Sequence, residues 1–419
     1  MYRELDRQVT GQHEDLRATA HRFAVDVLRP AAAALDRMEA DEAARAGSPL
    51  WDVFRRWYAL GHHTTGIPVE FGGVGLDALS RHLVLEELGW GSAGLAVGLG
   101  VASLPFEFVA LVAGMTGNQQ LLDEVVTPFV NDDEARFVGC WAITEPSHGS
   151  DALGVGTEGF TRAEEAGACR AVADGDEWLI SGEKAAWVSN GSIATHALLF
   201  CTVEPAMGPA GGGVALVELN GPGVERGRPL DKLGQRDLNQ GAIRFEGARL
   251  PAHRMLVGPE AYPVMLSAVL AFANAGMGAI FTGLARAAFE QSLAYARIRR
   301  QGGRLIADHQ LIQGKLFEMF SAVERSRALS RAALVHNVET FPPALAYSIA
   351  SKVSCTQTAF AVASEAIEVF GGVGLSREMP VEKLFRDARA SLIEDGVNEF
   401  LALVGARQVL DTYSIDAAS

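Results

Sequence analysis

Two carboxylic acids stand side by side at Glu394-Asp395, followed by Gly396 and Val397. Like charges this close raise the pKa of a neighbour, and at a dry site one member of such a pair serves as a proton acceptor. The plainer reading of adjacent acids at a loop edge is a solvated pair. Trp141-Ala142-Ile143-Thr144-Glu145-Pro146-Ser147-His148-Gly149-Ser150-Asp151 is the richest polar segment. Its hydroxyls and backbone N–H groups fall where a strand gives way to a loop, which suits a pyrophosphate-bearing ligand. Gly182-Glu183-Lys184-Ala185-Ala186-Trp187-Val188-Ser189-Asn190-Gly191 adds an aromatic ring and a hydroxyl two residues apart. Tyr295-Ala296-Arg297-Ile298-Arg299-Arg300-Gln301-Gly302-Gly303-Arg304, then Asp308-His309-Gln310, offers arginines whose planar fork matches phosphate oxygens. A last run, Glu368-Val369-Phe370-Gly371-Gly372-Val373-Gly374, precedes Pro380-Val381-Glu382-Lys383-Leu384-Phe385-Arg386-Asp387-Ala388. No strand leads into its glycines, so it is not a dinucleotide fingerprint.

These groups need a frame, and the chain divides into three textures. Residues 1–137 look helical: Leu16, Ala20, Phe23 and Val27 recur at helical spacing, and Pro68 to Gly73 is a turn. Residues 138–260 are punctuated by Gly and Pro and carry short β-prone runs. Trp178-Leu179-Ile180 precedes a turn at Ser181-Gly182, His196 to Val203 suits a buried strand, and Ile243 and Phe245 alternate with Arg244 and Glu246. Residues 261–419 return to helical period, with Ile312, Leu316, Met319, Phe320 and Val323 on one face and Leu345, Ile349, Val353 and Phe360 on another. The expected fold class is α+β: an N-terminal helical domain, a small β-barrel-like middle domain and a C-terminal four-helix bundle.

Bulk properties narrow the function. The 419 residues suffice for two or three cores. A formal net charge of −15 argues against nucleic-acid binding, which concentrates Lys and Arg. Cys140, Cys169, Cys201 and Cys355 follow no metal-ligand spacing, so no metal is expected. They read as buried thiols in a reducing cytoplasm. The charged start Met1-Tyr2-Arg3-Glu4 lacks the apolar stretch of a secretory signal. Ala261 to Ala285 has no charge and the length to span a bilayer, yet Asn274 interrupts it and Arg286, Glu290, Arg297 and Arg299 continue it. A helix buried inside a bundle is apolar all round for the same reason, and no membrane role is expected.

The four segments, in this order, resemble the acyl-CoA dehydrogenase family over nearly the whole chain. The resemblance implies FAD held by Trp141, Ile143, Thr144 and Ser150 at the middle-domain signature, with Trp187 packing on the flavin and Ser189 near its N5. Arg299, Gln301, Gln310, Glu368, Gly371 and Gly372 would meet the FAD of a neighbouring subunit, so a homodimer or homotetramer follows. Val397 closes the set. Departures are informative: Gly302 stands where the family has Phe, and Glu368 replaces a Gln. Counting on from Arg386-Asp387-Ala388, the family's catalytic glutamate falls on Asp395, one methylene shorter, and Glu394 replaces an aromatic beside it. The helical stretch Ala271 to Asn274, where some relatives carry the base, has no acid.

The expected activity is therefore FAD-dependent dehydrogenation of a small polar acyl thioester, on an acyl carrier protein or CoA. The Glu394-Asp395-Gly396 variation is similar to a branch of the family that works in polyketide extender-unit pathways. An electron-transfer flavoprotein or oxygen would reoxidise the flavin. Two alternatives stand beside it: a flavin monooxygenase on the same fold, and a helical scaffold that has lost FAD.

Overall fold

The computed structural model describes residues 3–413. Helices come first: α1 (Gly11–Phe23), α2 (Pro49–Ala59), α3 (Ala78–Gly91) and α4 (Ala93–Thr116). Side chains set their starts. Asp77 accepts from the Ser80 N–H and Ser92 from the Leu95 N–H, each satisfying a donor that a helix N-terminus leaves open. Gly117, at φ +68°, ends α4 in the left-handed conformation that suits glycine.

Eight strands follow between Gly139 and Val257. They are β1 (Gly139–Ala142), β2 (Arg170–Asp174), β3 (Glu177–Lys184), β4 (His196–Thr202), β5 (Gly212–Glu218), β6 (Val224–Arg226), β7 (Ile243–Pro251) and β8 (Met255–Val257). Their order is β6-β7-β3-β2-β4-β5-β8, with β1 parallel to β4 off that path, so the sheet is an open ribbon. In β7, Ile243 and Phe245 point inward while Arg244 and Glu246 face solvent, as their alternation requires. One expectation fails: Ser181-Gly182 is no turn. β3 runs through it to Lys184, and a bulge between Ile180 and Ser181 absorbs the irregularity.

The C-terminal part is built on α5 (Tyr262–Ala296), α6 (Gln310–Glu339) and α7 (Leu345–Phe370), joined by the shorter α8 (Pro380–Ser391) and α9 (Asn398–Thr412). A hairpin, β9 (Arg300–Gln301) and β10 (Arg304–Leu305), separates α5 from α6. By length and composition, Ala93–Thr116, Tyr262–Ala296 and Leu345–Leu375 could each cross a membrane. In α5 that character serves burial: the helix lies in the centre of the bundle, against α3, α6 and α7.

Charges clamp this centre. Arg286 of α5 meets Glu86 at 2.9 Å and Glu87 at 2.5 Å on α3, and Arg327 of α6 meets Glu86 at 3.0 Å. Burial alone would push the Glu86 pKa up, but the two guanidinium groups hold it down to about 2. The helices approach backbone to backbone beside this cluster. A Cβ on Gly283 would stand 2.1 Å from the Glu86 carbonyl oxygen, and one on Gly89 would stand 2.0 Å from that of Ile280.

Gly283→Ala is therefore expected to lower stability by about 1–3 kcal/mol, as overpacking does. Gly276→Ala, whose Cβ would meet only Leu85 at 3.9 Å, is expected to be neutral or stabilising. Urea unfolding midpoints of both variants check this.

Candidate active site

The turn between α8 and α9 carries both acids. Asp395 sits at φ +52° and Gly396 at φ +95°, so the chain reverses through two left-handed residues. For Asp that conformation is strained and persists only where surroundings enforce it. They do so from two sides. Lys352, fully buried in α7, donates to the Gly396 carbonyl and to Asn398 Oδ1, both at 2.7 Å. Asn274, fully buried in α5, donates to the Asp395 carbonyl at 3.3 Å. Ser150 accepts the Val397 N–H at 2.9 Å and so ties the turn to the middle-domain signature.

The two carboxyl groups differ in what holds them. Glu394 accepts a hydrogen bond from Gln235 Nε2 at 2.6 Å. No donor among the described residues reaches the Asp395 carboxylate. Both are half-buried. Burial raises the Asp395 pKa to about 6, against the Lys352 charge, which pulls it down. Burial also raises Glu394, and the neighbouring Asp395 charge adds to that rise.

Gln235 belongs to the loop before β7. Lys232, in the same loop, donates to the Leu238 carbonyl at 2.9 Å and to Gln240 Oε1 at 2.8 Å. Gln240 Nε2 in turn reaches the Trp187 carbonyl at 3.1 Å and Ser189 Oγ at 3.4 Å. One loop thus touches both the acid pair and the Trp187–Ser189 corner. The Trp187 ring is 61% exposed, so it is no core residue.

The signature segment is anchored from below. Buried Lys184 donates to the Ile143 carbonyl at 2.9 Å and to Glu145 Oε1 at 2.8 Å, while the Thr144 carbonyl accepts the Ala185 N–H. The exits of β1 and β3 therefore lie side by side, bringing Trp141, Ile143 and Thr144 next to the segment that carries Trp187 and Ser189. Trp141 is buried, and its indole N–H has no acceptor among the described residues.

The remaining expected residues lie elsewhere. Arg299, Gln301, Gln310, Glu368, Gly371 and Gly372 are all exposed at the other end of the bundle. Along α5, Asn274 and Ala296 are about 33 Å apart at 1.5 Å per residue. Along α7, Lys352 and Glu368 are about 24 Å apart by the same rise. Glu368 pairs with Lys315 at 2.7 Å. Sequence reasoning missed Lys232, Gln235, Gln240 and Lys352. Only Lys352 left a signal, as a lone charge between Ile349 and Val353 on an apolar helix face.

Three sequence profiles match the chain: the acyl-CoA dehydrogenase N-terminal domain over residues 10–130, its middle domain over 140–248 and its C-terminal domain over 262–410. The chain is 31% identical to the mitochondrial short-chain specific acyl-CoA dehydrogenase of Bos taurus, over 96% of its own length and 90% of the relative's. It is 30% identical to the probable acyl-CoA dehydrogenase YngJ of Bacillus subtilis, over 96% and 99%. The solved butyryl-CoA dehydrogenase of Megasphaera elsdenii superposes with a TM-score of 0.83 at 25% identity, over 97% of this chain and 100% of that one. The chain belongs to the acyl-CoA dehydrogenase family, oxidoreductases that act on CH–CH bonds with FAD. Its residues fit that cofactor: buried donors are nearly always paired, and a flavin edge would supply the acceptor that the Trp141 indole N–H lacks among the described residues.

Asp395 ionises against its burial, so its stabilising contribution is complete below the ordinary carboxylate range and is lost as pH rises through about 6. Asp395→Asn is expected to match the parent in unfolding midpoint near pH 4. At pH 8 it is expected to exceed the parent by about 1–2 kcal/mol, because the amide carries no charge for burial to penalise. Chemical unfolding at the two pH values measures the difference.

Proposed function

We propose that this protein dehydrogenates a small, polar acyl thioester and that Asp395 is its base. The observation that carries the reading is the unengaged Asp395 carboxylate on a turn locked by Lys352, Asn274 and Ser150. A base must be fixed at its backbone and free at its oxygens. Glu394, tied to Gln235, meets the first condition and not the second. In the reaction the Asp395 carboxylate takes the proton from the carbon next to the thioester carbonyl. Bound FAD supplies the acceptor for the hydride leaving the next carbon, and a C=C bond forms between the two. Trp187 and Ser189 would flank the isoalloxazine, Trp141, Ile143 and Thr144 its polar edge, and Ser150 with Val397 the diphosphate side.

Glu394, Gln235 and Lys232 give the wall beside the base hydrogen-bonding groups, which supports a short oxygenated acyl group over an alkyl chain. The sequence variation at Glu394-Asp395-Gly396 favours a carrier-protein thioester over CoA. The four free, buried cysteines suit the cytoplasm. A chain with an acid so placed is less suited to the monooxygenase alternative.

Arg299, Gln301, Gln310, Glu368, Gly371 and Gly372 serve a second protomer in this reading. At about 33 Å along α5 from the base region, Arg299 is too far to share one flavin with Asp395 of its own chain. The protein is accordingly proposed to be a homodimer or homotetramer with shared flavin sites.

Short hydroxyacyl thioesters of carrier protein and CoA are expected to bleach the flavin of anaerobic holoenzyme. Bleaching only by long alkyl acyl-CoA would reject the polar substrate. kcat/KM is expected to rise with pH through about 6 as Asp395 ionises and then level off. Asp395→Asn is expected to lose roughly 100-fold to 10,000-fold in the reduction rate while retaining FAD. Arg299→Ala is expected to weaken FAD retention by roughly 10-fold or more on gel filtration, the loss of a phosphate-binding fork. Retention unchanged would place that arginine outside the site.

A further inference from the structure

Gln235 has an unusual position for a loop residue. It is buried, non-glycine and held at φ +48°, in the left-handed region. Such strain persists where neighbours over-determine it, and here three hydrogen bonds do. Its N–H donates to Asp387 Oδ1 at 2.5 Å, and its Nε2 reaches both the Asp387 carbonyl and Glu394 Oε1. Beside it, a Cβ on Gly234 would stand 2.2 Å from the Arg386 carbonyl oxygen, so the loop lies directly on α8. Asp387 is itself fixed by Lys383 at 2.5 Å, and Lys383 also meets Asp237 at 3.3 Å. Gln235 Oε1 is buried and no donor among the described residues reaches it, so the amide is held by its two N–H bonds alone.

We propose that Gln235 is a positioning residue for the reaction: its amide holds the Glu394 carboxyl to the loop and off Asp395, leaving Asp395 as the one free carboxylate of the pair. This rests on the assignment of Asp395 as base. The amide acts through geometry and through charge. Adjacent residues on a tight turn place two carboxyl groups within reach of each other, and a free Glu394, which keeps its proton after Asp395 has ionised, would bring its carboxyl O–H onto the base. The charged groups facing the pair are Lys232 of the loop and Lys352 of α7; Asp237, Asp387 and Lys383 in turn face Lys232, and Glu399 of α9 faces Lys352. Gln235 is the neutral donor among them, and it binds Glu394 whatever the charge of that acid.

The test uses Gln235→Gly and Gln235→Leu in holoenzyme, each alone and with Glu394→Gln. Glycine adopts φ +48° without strain, so Gln235→Gly removes the amide while easing the backbone. Gln235→Leu removes the amide and keeps bulk. In both, the acid limb of kcat/KM is expected to move down by roughly one pH unit, with kcat down about 10-fold, as the protonated Glu394 carboxyl, freed from the loop, donates to the Asp395 carboxylate and weakens it as a base. With Glu394→Gln added, the limb is expected to return to the parental position. A limb that stays put, or that moves equally in the Glu394→Gln background, would overturn the proposal. The protonated-carboxyl infrared band that Asp395→Asn abolishes gives a second readout without substrate. It is expected to vanish at lower pH in Gln235→Gly, and to do so only when Glu394 is present. If no thioester reduces the parent flavin, the dehydrogenase reading fails, and this band alone decides the role of Gln235: unshifted, the proposal fails as well.

Discussion

A six-residue turn, held in a conformation its own residues disfavour, is the constraint on which the site depends. Asp395 at φ +52° would relax in a free peptide. It is kept there by a lysine ammonium sealed inside the bundle. Lys352 lies in an interior that resists charge, and burial lowers its pKa to about 8. Two oxygens of the turn, from Gly396 and Asn398, take the place of water around it. The charge and the strain explain each other: the turn bends to solvate the lysine, and the lysine holds the turn bent.

The same exchange recurs in the fold. Lys184 is sealed beneath the middle-domain signature and solvated by the Ile143 carbonyl and Glu145. Arg286 and Arg327 meet Glu86 where three helices cross. Removing one partner of such a pair leaves an uncompensated buried charge, commonly at a cost of about 3–5 kcal/mol. Directional charges at these junctions fix how the helices and the sheet meet, which apolar packing of small residues such as Gly283 and Gly89 would leave free to slide.

Much of this was legible in the sequence. The return of helical period after residue 261 and the alternation around Ile243 and Phe245 gave the α+β architecture, because burial on one face leaves a periodic trace. The four motif segments gave the family, and counting from Arg386-Asp387-Ala388 pointed to Asp395 as the candidate base. The contribution of the loop before β7 left no such trace. Gln235 and Gln240 matter through partners 159 and 53 residues away in the chain, and Lys232 through its bond to Gln240; nothing in their local pattern separates them from a solvated loop. The difference between Glu394 and Asp395 was invisible for the same reason, since it lies in which acid has a distant donor. The bulge that carries β3 through Ser181-Gly182 was misread because a glycine marks a turn and a bulge alike.

Helix α5 begins near the middle sheet, passes the acid turn at Asn274 and ends just before Arg299, without a proline or kink after its first turn. It works as a ruler. A single residue inserted between those two points would rotate everything beyond it by about 100° and advance it about 1.5 Å. The acid turn would be untouched, yet the arginine would face another direction. The number of residues in that span is thus under the same selection as the side chains at its ends, and length variation in this chain has to be absorbed elsewhere, in loops that no helix measures.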